Sequence, residues 1–358
     1  MRPVVVENVI KLMSCGLRVR GFKTYCCSNN VCTHTKTVTF GCKSRFCPTC
    51  GKKATDIWIN KQQNIMPKMP FQHITFTMPD KLWPLFKEDP KLLNQLPKLA
   101  ADVIQKIAKN RNIKVGIFVA VHTFGRDLQW HVHIHLSVSM AGLTSKHQYK
   151  EIKFSKKQVE PMWRYRVIKL FKAARVNKTI NITNAFLELQ YFKKWIIHFA
   201  KPSKSPWRSI TYLGRYVKRP PLSQSRLAHY DGRELTFNYL NHRNGKYKDL
   251  TLSTVEFIKR FIQHIPEKGF RMIRYYGFLA NRVRSSLLPI IYELIDQTPK
   301  EPKFIGWAGL FKQSFGKDPL ECILCQSKMK LTNFTFPMTK SKLHTYHEKL
   351  ATRSIINY

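Results

Sequence analysis

The 358-residue chain carries 62 lysines and arginines against 21 aspartates and glutamates, a formal charge of +41. That excess goes far beyond solubility and points to a polyphosphate partner, nucleic acid before a membrane surface. A hydrophobic fraction of 43% excludes wholesale disorder, and no apolar run reaches the roughly eighteen residues of a membrane-spanning helix.

The first residues, Met1-Arg2-Pro3-Val4-Val5-Val6-Glu7, lack the apolar core and cleavage site of a secretory signal, so a cytoplasmic protein is expected. In a reducing compartment cysteines serve as metal ligands more often than as disulfides. Cys15, Cys26, Cys27, Cys32, Cys42, Cys47 and Cys50 crowd the N-terminal region. Cys47-Pro48-Thr49-Cys50-Gly51 reads as a CxxC knuckle with glycine at a tight turn, and Cys27 and Cys32 are expected to complete a four-thiolate zinc site with it. Cys15, Cys26, His34 and Cys42 remain, enough for a second zinc. The competing view, cysteines as small buried hydrophobes, fits this density poorly. Lys36, Lys43, Arg45, Lys52 and Lys53 make the module basic and suited to DNA phosphates.

Phe71 to Thr77 reads as a strand stopped by Pro79, with His73 an ordinary sheet residue. From Lys81 to Asn110 the apolar spacing is helical, cut by Pro84, Pro90 and Pro97. Val115 to Phe124 and Gln129 to Val138 form two strands across the turn Gly125-Arg126-Asp127-Leu128. Strict alternation sets His131, His133 and His135 on one face and Val132, Ile134 and Leu136 on the other. Pairing Phe124 with Gln129 would bring His122 opposite His131 on the imidazole face, whereas a slip of one residue would turn it away. Imidazoles two residues apart on a rigid strand can chelate one divalent ion and leave positions open for a substrate.

Lys156 to Ala174 has the pattern of a basic helix with Trp163, Val167, Leu170 and Phe171 inward. Lys194 to Ala200 reads as a core strand, with His198 either facing the metal or packed in the core. Pro206 to Pro221 reads as a helix ended by the double proline, which sets Tyr212 and Tyr216 one turn apart on one face. Two core aromatics would look the same, yet beside a metal-binding histidine pair a tyrosine hydroxyl is a candidate nucleophile. Arg226 to Leu252 alternates as a small meander, and Ser253 with Glu256 predicts a capping box for the helix over 254–263. Arg271 to Phe278 is basic and aromatic, suiting single-stranded nucleic acid, with Tyr275 and Tyr276 as rival nucleophiles that would diverge on a helix. Gln297 to Lys303 reads as a linker, and the tail holds Cys322-Ile323-Leu324-Cys325, a CxxC that cannot close a zinc site alone and so either pairs with another element or is incidental. These readings give an α+β class, an antiparallel sheet flanked by helices. The expected division is a zinc module over 1–68, a catalytic core over 69–225, a DNA-binding meander and helices over 226–297, and a tail over 298–358.

The N-terminal cysteine cluster, the HxHxH strand following HTFGRDL, the YLGRYVKRPP stretch and EFIKRFIQHIPEKGFRMIRYYGF occur in that order. Together they resemble the two-tyrosine HUH transposases of rolling-circle insertion sequences, which carry an N-terminal transposase zinc-binding domain. The resemblance covers roughly residues 1 to 285. It implies an HUH-endonuclease core and a DNA endonuclease and strand transferase acting on single-stranded transposon ends and target. It also implies a magnesium or manganese ion held by His133 and His135, with His131 or His122 completing the set, and zinc at the cysteines. Tyr212 and Tyr216 would be the nucleophiles, with Arg215, Lys218, Arg219, Arg271 and Arg274 along the DNA. Transesterification conserves phosphodiester energy, so no ATP is expected, and no GxxxxGK[ST] loop is present. A nucleoid-associated bacterial protein with no membrane partner follows. A replication initiator or relaxase of the same chemistry, or a non-catalytic zinc-dependent DNA-binding protein, are the alternatives.

Overall fold

The structure, a computed structural model, describes residues 1–203, 207, 210, 211, 214, 220–241, 244–299 and 305–356. The chain divides into two compact units: Met1–Trp58 with Lys218–Ser225 and Lys303–Tyr358, and Ile59–Val217 with Arg226–Pro302.

The first unit opens with helix α1 (Pro3–Met13), whose proline stands at its N-terminal turn where no amide partner is lost. Its sheet has β1 (Phe22–Cys27) at the centre, flanked by β2 (Thr35–Thr39) and by β12 (Met329–Thr335), the last strand of the chain. The pairing runs antiparallel from Phe22 opposite Thr335 to Cys27 opposite Met329. Helix α2 (Pro48–Ile65) starts in this unit, and the helix Trp307–Phe315 packs there through Ser314, whose hydroxyl donates to the Asp56 carboxylate at 2.6 Å. Residues after 303 therefore do not form the separate tail expected of 298–358. A central strand needs hydrogen-bonding partners on both edges, and here one of them comes from the far end of the chain.

The second unit is built on a six-stranded antiparallel sheet. Its order is β11 (Ile273–Gly277), β4 (Lys114–Phe124), β5 (Trp130–Leu143), β3 (Phe71–Phe76) and β7 (Ile197–Phe199), with β6 (Tyr149–Glu151) paired to β5. One face presents Ile74, Phe76, Ile117, Val119, Val121, Ile134, Leu136 and Val138, all buried in one core. Several helices contribute to that core, among them the short α3 (Leu85–Glu88) with Leu85 and Phe86. Helix α4 (Leu96–Lys109) buries Ala100, Val103, Ile104 and Ile107, and α5 (Lys156–Val176) buries Val159, Trp163, Val167 and Phe171. Each large apolar side chain taken out of water contributes about 1.5–3 kcal/mol, and Trp163 satisfies its indole N–H on the Thr77 carbonyl at 2.8 Å. The opposite face carries the polar residues of the same strands, His73, His122, His133, His135 and Ser137.

The meander is β8 (Leu227–Tyr230), β9 (Glu234–Leu240) and β10 (Tyr247–Ser253). The helix Thr254–Ile262 follows, and the Ser253 hydroxyl accepts its Glu256 amide at 3.3 Å. The Glu256 carboxylate pairs with Arg260 at 2.7 Å, so the box is half formed. The chain then returns to the main sheet as β11, which is why 226–297 is not an independent module. Tyr275 and Tyr276 lie on this strand, and their side chains take opposite faces of the sheet, not diverging positions on a helix. Tyr276 packs on the apolar core, and Arg274 on its side of the strand donates to Asn94 Oδ1 at 2.9 Å. Among the described residues no helix is long and apolar enough to cross a membrane.

β11 ends at Gly277, whose φ of 63° lies in the left-handed region and whose missing Cβ would collide with the Val115 carbonyl oxygen. Gly277→Ala should therefore lower stability by about 1–3 kcal/mol, read as a lower denaturant midpoint. An unchanged midpoint would contradict the close approach.

Candidate metal centres

The β4–β5 hairpin is held at its tip by the segment after the meander. Leu128, with φ of 64°, turns its carbonyl to Gln263 Nε2 at 3.2 Å and to His264 Nε2 at 3.0 Å, and Arg260 donates to the Asp127 carbonyl at 3.3 Å. Gly125 and Gln129 close the turn at 2.9 Å and Phe124 pairs with Trp130. Continued unchanged, that register would set His122 opposite Val132, on the wrong face. Between this pair and the next, His122 with His133, β4 spends Thr123 alone while β5 spends His131 and Val132. The irregularity corrects the expected pairing of Phe124 with Gln129 and of His122 with His131. An extra residue on one strand shifts the phase of alternation, as a β-bulge does.

As a result His122, His133 and His135 bring their ligand nitrogens within 4.8 Å of one another, while His131 tilts against Trp83 with ring centres 4.4 Å apart. His122 and His135 are 1% and 5% exposed. Burial, with His131 adding, pushes His133 down to about 3, and burial with the surrounding imidazoles holds His135 well below the usual range. His133 and His135 are therefore neutral near pH 7, the form that coordinates a cation. The His133 Nδ1–H donates to the His131 carbonyl at 3.0 Å, which leaves its Nε2 with the lone pair. His135 Nδ1 meets His73 Nε2 at 3.1 Å, and His73 Nδ1 meets the Ser137 hydroxyl at 3.2 Å. His73 is thus no ordinary sheet residue, and the only sequence signal for it was its place on an alternating strand. His198, opposite Thr75 on β7, is exposed and outside the cluster.

The cysteines regroup. Cys47 and Cys50 join Cys15 and Cys42, and Cys27 and Cys32 join Cys322 and Cys325. The set expected from the sequence, Cys27, Cys32, Cys47 and Cys50, is split between the two clusters; of the remainder, Cys15 and Cys42 join the first cluster, and Cys26 and His34 belong to neither group of four. Cys47 immediately precedes α2 and Cys50 lies in its first turn, so Gly51 is helical and not the turn glycine. Cys26 and Cys27 are neighbours on a strand and face opposite ways; the Cys26 sulfur meets the Thr332 hydroxyl at 3.6 Å. In the first cluster the sulfurs of Cys15 lie 3.7 Å from Cys50 and 3.4 Å from Cys47, and Cys42 lies 3.9 Å from Cys50. Metal–sulfur bonds of about 2.3 Å in a tetrahedron give sulfur–sulfur edges of about 3.8 Å, so the donors fit zinc. Contact with the Cys15 thiol pulls Cys47 down to about 6 and pushes Cys42 far up.

Tyr212, Tyr216, Arg215, Lys218 and Arg219 lie outside the described residues; Trp207, Ile210, Thr211 and Gly214 around them are helical. Arg271 is exposed.

Residues 1–78 match a family model described as "Transposase zinc-binding domain", and residues 116–286 one described as "Putative transposase". The chain is 40% identical to the transposase for insertion sequence element IS801 of Pseudomonas savastanoi pv. phaseolicola, over 98% of this chain and 89% of that protein. It is 25% identical to the "Putative transposase y4qJ" of Sinorhizobium fredii (strain NBRC 101917 / NGR234), over 84% of this chain and 82% of that one. No solved structure matches the chain.

The depressed histidines set an acid limit. Burial takes His73 to about 4 and His133 to about 3. The unfolded chain therefore binds more protons below the ordinary value of about 6.5. Stability contributed by these neutral groups is complete above that pH and is lost progressively as pH falls toward their folded values. In metal-free protein, NMR titration should find both imidazoles still neutral at about pH 5. Midpoints near 6.5 would remove the burial argument.

Proposed function

The chain belongs to the two-tyrosine HUH transposases of rolling-circle insertion sequences, and from that premise we propose that His122, His133 and His135 are its catalytic metal ligands and Tyr212 and Tyr216 its nucleophiles. The observation that carries the metal assignment is the convergence of three imidazoles on the one polar face of a sheet whose other face is sealed by helices. Three protein ligands leave positions open for phosphate oxygens. Magnesium or manganese is the proposed ion. An all-nitrogen set favours manganese of the two, because magnesium prefers oxygen donors and water. Zinc is assigned to Cys15, Cys42, Cys47 and Cys50, which all lie within the matched zinc-binding segment.

A divalent ion at the histidines supplies charge neutralisation that makes the scissile phosphorus more electrophilic. The protein's own groups do the rest. His133 is locked in one tautomer by its bond to the His131 carbonyl. His135 offers a bare Nε2 when its Nδ1–H donates to His73 and the His73 Nδ1–H donates to Ser137. His73 is thus a positioning residue. The Tyr212 or Tyr216 oxygen forms a bond to phosphorus as the bond to the 3′ oxygen breaks. The product is a 5′-phosphotyrosine, and the phenolic proton is transferred to balance the 3′-hydroxyl released. Bond energy is retained in the phosphotyrosine, so the second strand is joined by the reverse exchange. Single-stranded transposon ends and target are the proposed substrates, held by a chain of charge +41 through contacts that release counterions.

His133→Ala or His135→Ala should abolish cleavage of terminal single-stranded oligonucleotides while leaving their binding within about twofold, and binding should fall steeply with salt. Tyr212→Phe with Tyr216→Phe keeps the rings and should eliminate the covalent DNA adduct in a denaturing gel. An adduct that persists and maps by peptide analysis to Tyr275 or Tyr276 would overturn the nucleophile assignment. His73→Ala should weaken manganese binding about 10–100-fold with the fold intact; unchanged affinity in a metal titration would remove its positioning role.

A further inference from the structure

We propose that Cys27, Cys32, Cys322 and Cys325 hold a second structural zinc ion whose ligands come half from the N-terminal and half from the C-terminal segment of the chain. The matched zinc-binding segment ends at residue 78, so two of these four ligands lie beyond it. The sulfur of Cys27 is 3.3 Å from Cys325 and that of Cys32 is 3.8 Å from Cys322, and all four lie within 4.8 Å of one another. Those separations bracket the edge of about 3.8 Å that a tetrahedral zinc thiolate requires. Two independent disulfides would need close contact only within each pair, not among all four.

The backbone is shaped for the same purpose. Cys27 sits at the end of β1 and pairs with Met329 of β12, so the ladder delivers the two segments to one point. The Asn29 amide points at the Cys27 sulfur at 3.4 Å. On the other side Gln326, just after the CxxC, takes φ of 60°, the left-handed turn that follows a metal knuckle. The Cys322 sulfur lies 3.1 Å from His34 Nδ1, which in its Nδ1–H tautomer donates to a thiolate and stabilises it. Cys322 is 1% exposed, a poor setting for a charged sulfur without a cation. On coordination each thiol releases its proton and no electron moves. Cys32 and Cys322 stand 290 positions apart, so the bond closes nearly the whole chain into a loop and removes freedom from the unfolded state.

The test is zinc content of the full chain purified under reducing conditions, in a His133→Ala, His135→Ala background so that the histidine site does not contribute. Two zinc ions per chain are expected, falling to one in Cys322→Ser with Cys325→Ser and to one in Cys42→Ser with Cys47→Ser. Differential alkylation read by mass spectrometry should find Cys322 and Cys325 protected until a chelator is added, while Cys26 reacts throughout. This second readout uses the unsubstituted cysteines and stands even where a variant fails to fold. One zinc per chain with Cys322 and Cys325 freely alkylated, or an intact mass lowered by the hydrogens lost in disulfides, would overturn the proposal.

Discussion

The site depends on a change of register in the β4–β5 ladder. The turn at Gly125–Gln129 starts the hairpin in a phase that would set His122 opposite Val132, and a side-chain period of two allows no partial correction. One extra residue on β5 restores the phase, after which His122 faces His133 and the apolar residues of both strands share the opposite face. Burial of Val119, Val121, Ile134 and Leu136 against α4 and α5 then fixes that phase, because a further slip would expose all of them at once. Core packing and the convergence of the imidazoles are thus two consequences of one backbone feature. The hairpin tip is clamped as well, with Arg260, Gln263 and His264 bound to its carbonyls.

Burial gives these histidines their chemistry. In a chain of charge +41, a protonated imidazole on the sheet would add repulsion without helping to bind a cation. Desolvation lowers the proton affinity of His133 and His135, which frees the lone pairs that a divalent ion needs. The Nδ1 partners of His133 and His135, a backbone carbonyl and His73, hold the rings from behind. The polar face is therefore ordered before any ligand arrives, so that a reaction proposed there would need little reorganisation.

The zinc unit follows a similar economy with different ligands. Its small three-stranded sheet buries little: among the described residues the cluster around Tyr25 comprises Cys322 and Met329 besides it, with a few half-buried neighbours. Small modules of this kind depend on metal cross-links, since apolar burial alone does not offset the conformational entropy lost on folding. Dense cysteines at both ends of the chain are the sequence's answer to that shortage.

Local chemistry was legible in the sequence. Alternation announced the histidine strand and its apolar reverse, proline and capping residues marked the helices, and Ser253 stood where a helix begins. The four ordered motifs identified the family, because a cysteine cluster, an HxHxH strand, a paired-tyrosine stretch and a basic aromatic run occur in an order that no composition alone would specify. Partnership across distance was not legible. Nothing near Cys27 or Cys32 names Cys322 and Cys325, nothing in the HxHxH run says that His131 turns to Trp83 while His122 takes its place, and His73 carries no mark of its bond to His135. Spacing along a chain determines which side chains share a face of one element. Which elements meet, and in which phase, is decided by strand pairing and by the burial of a whole sheet face, and both exist only once the chain has folded.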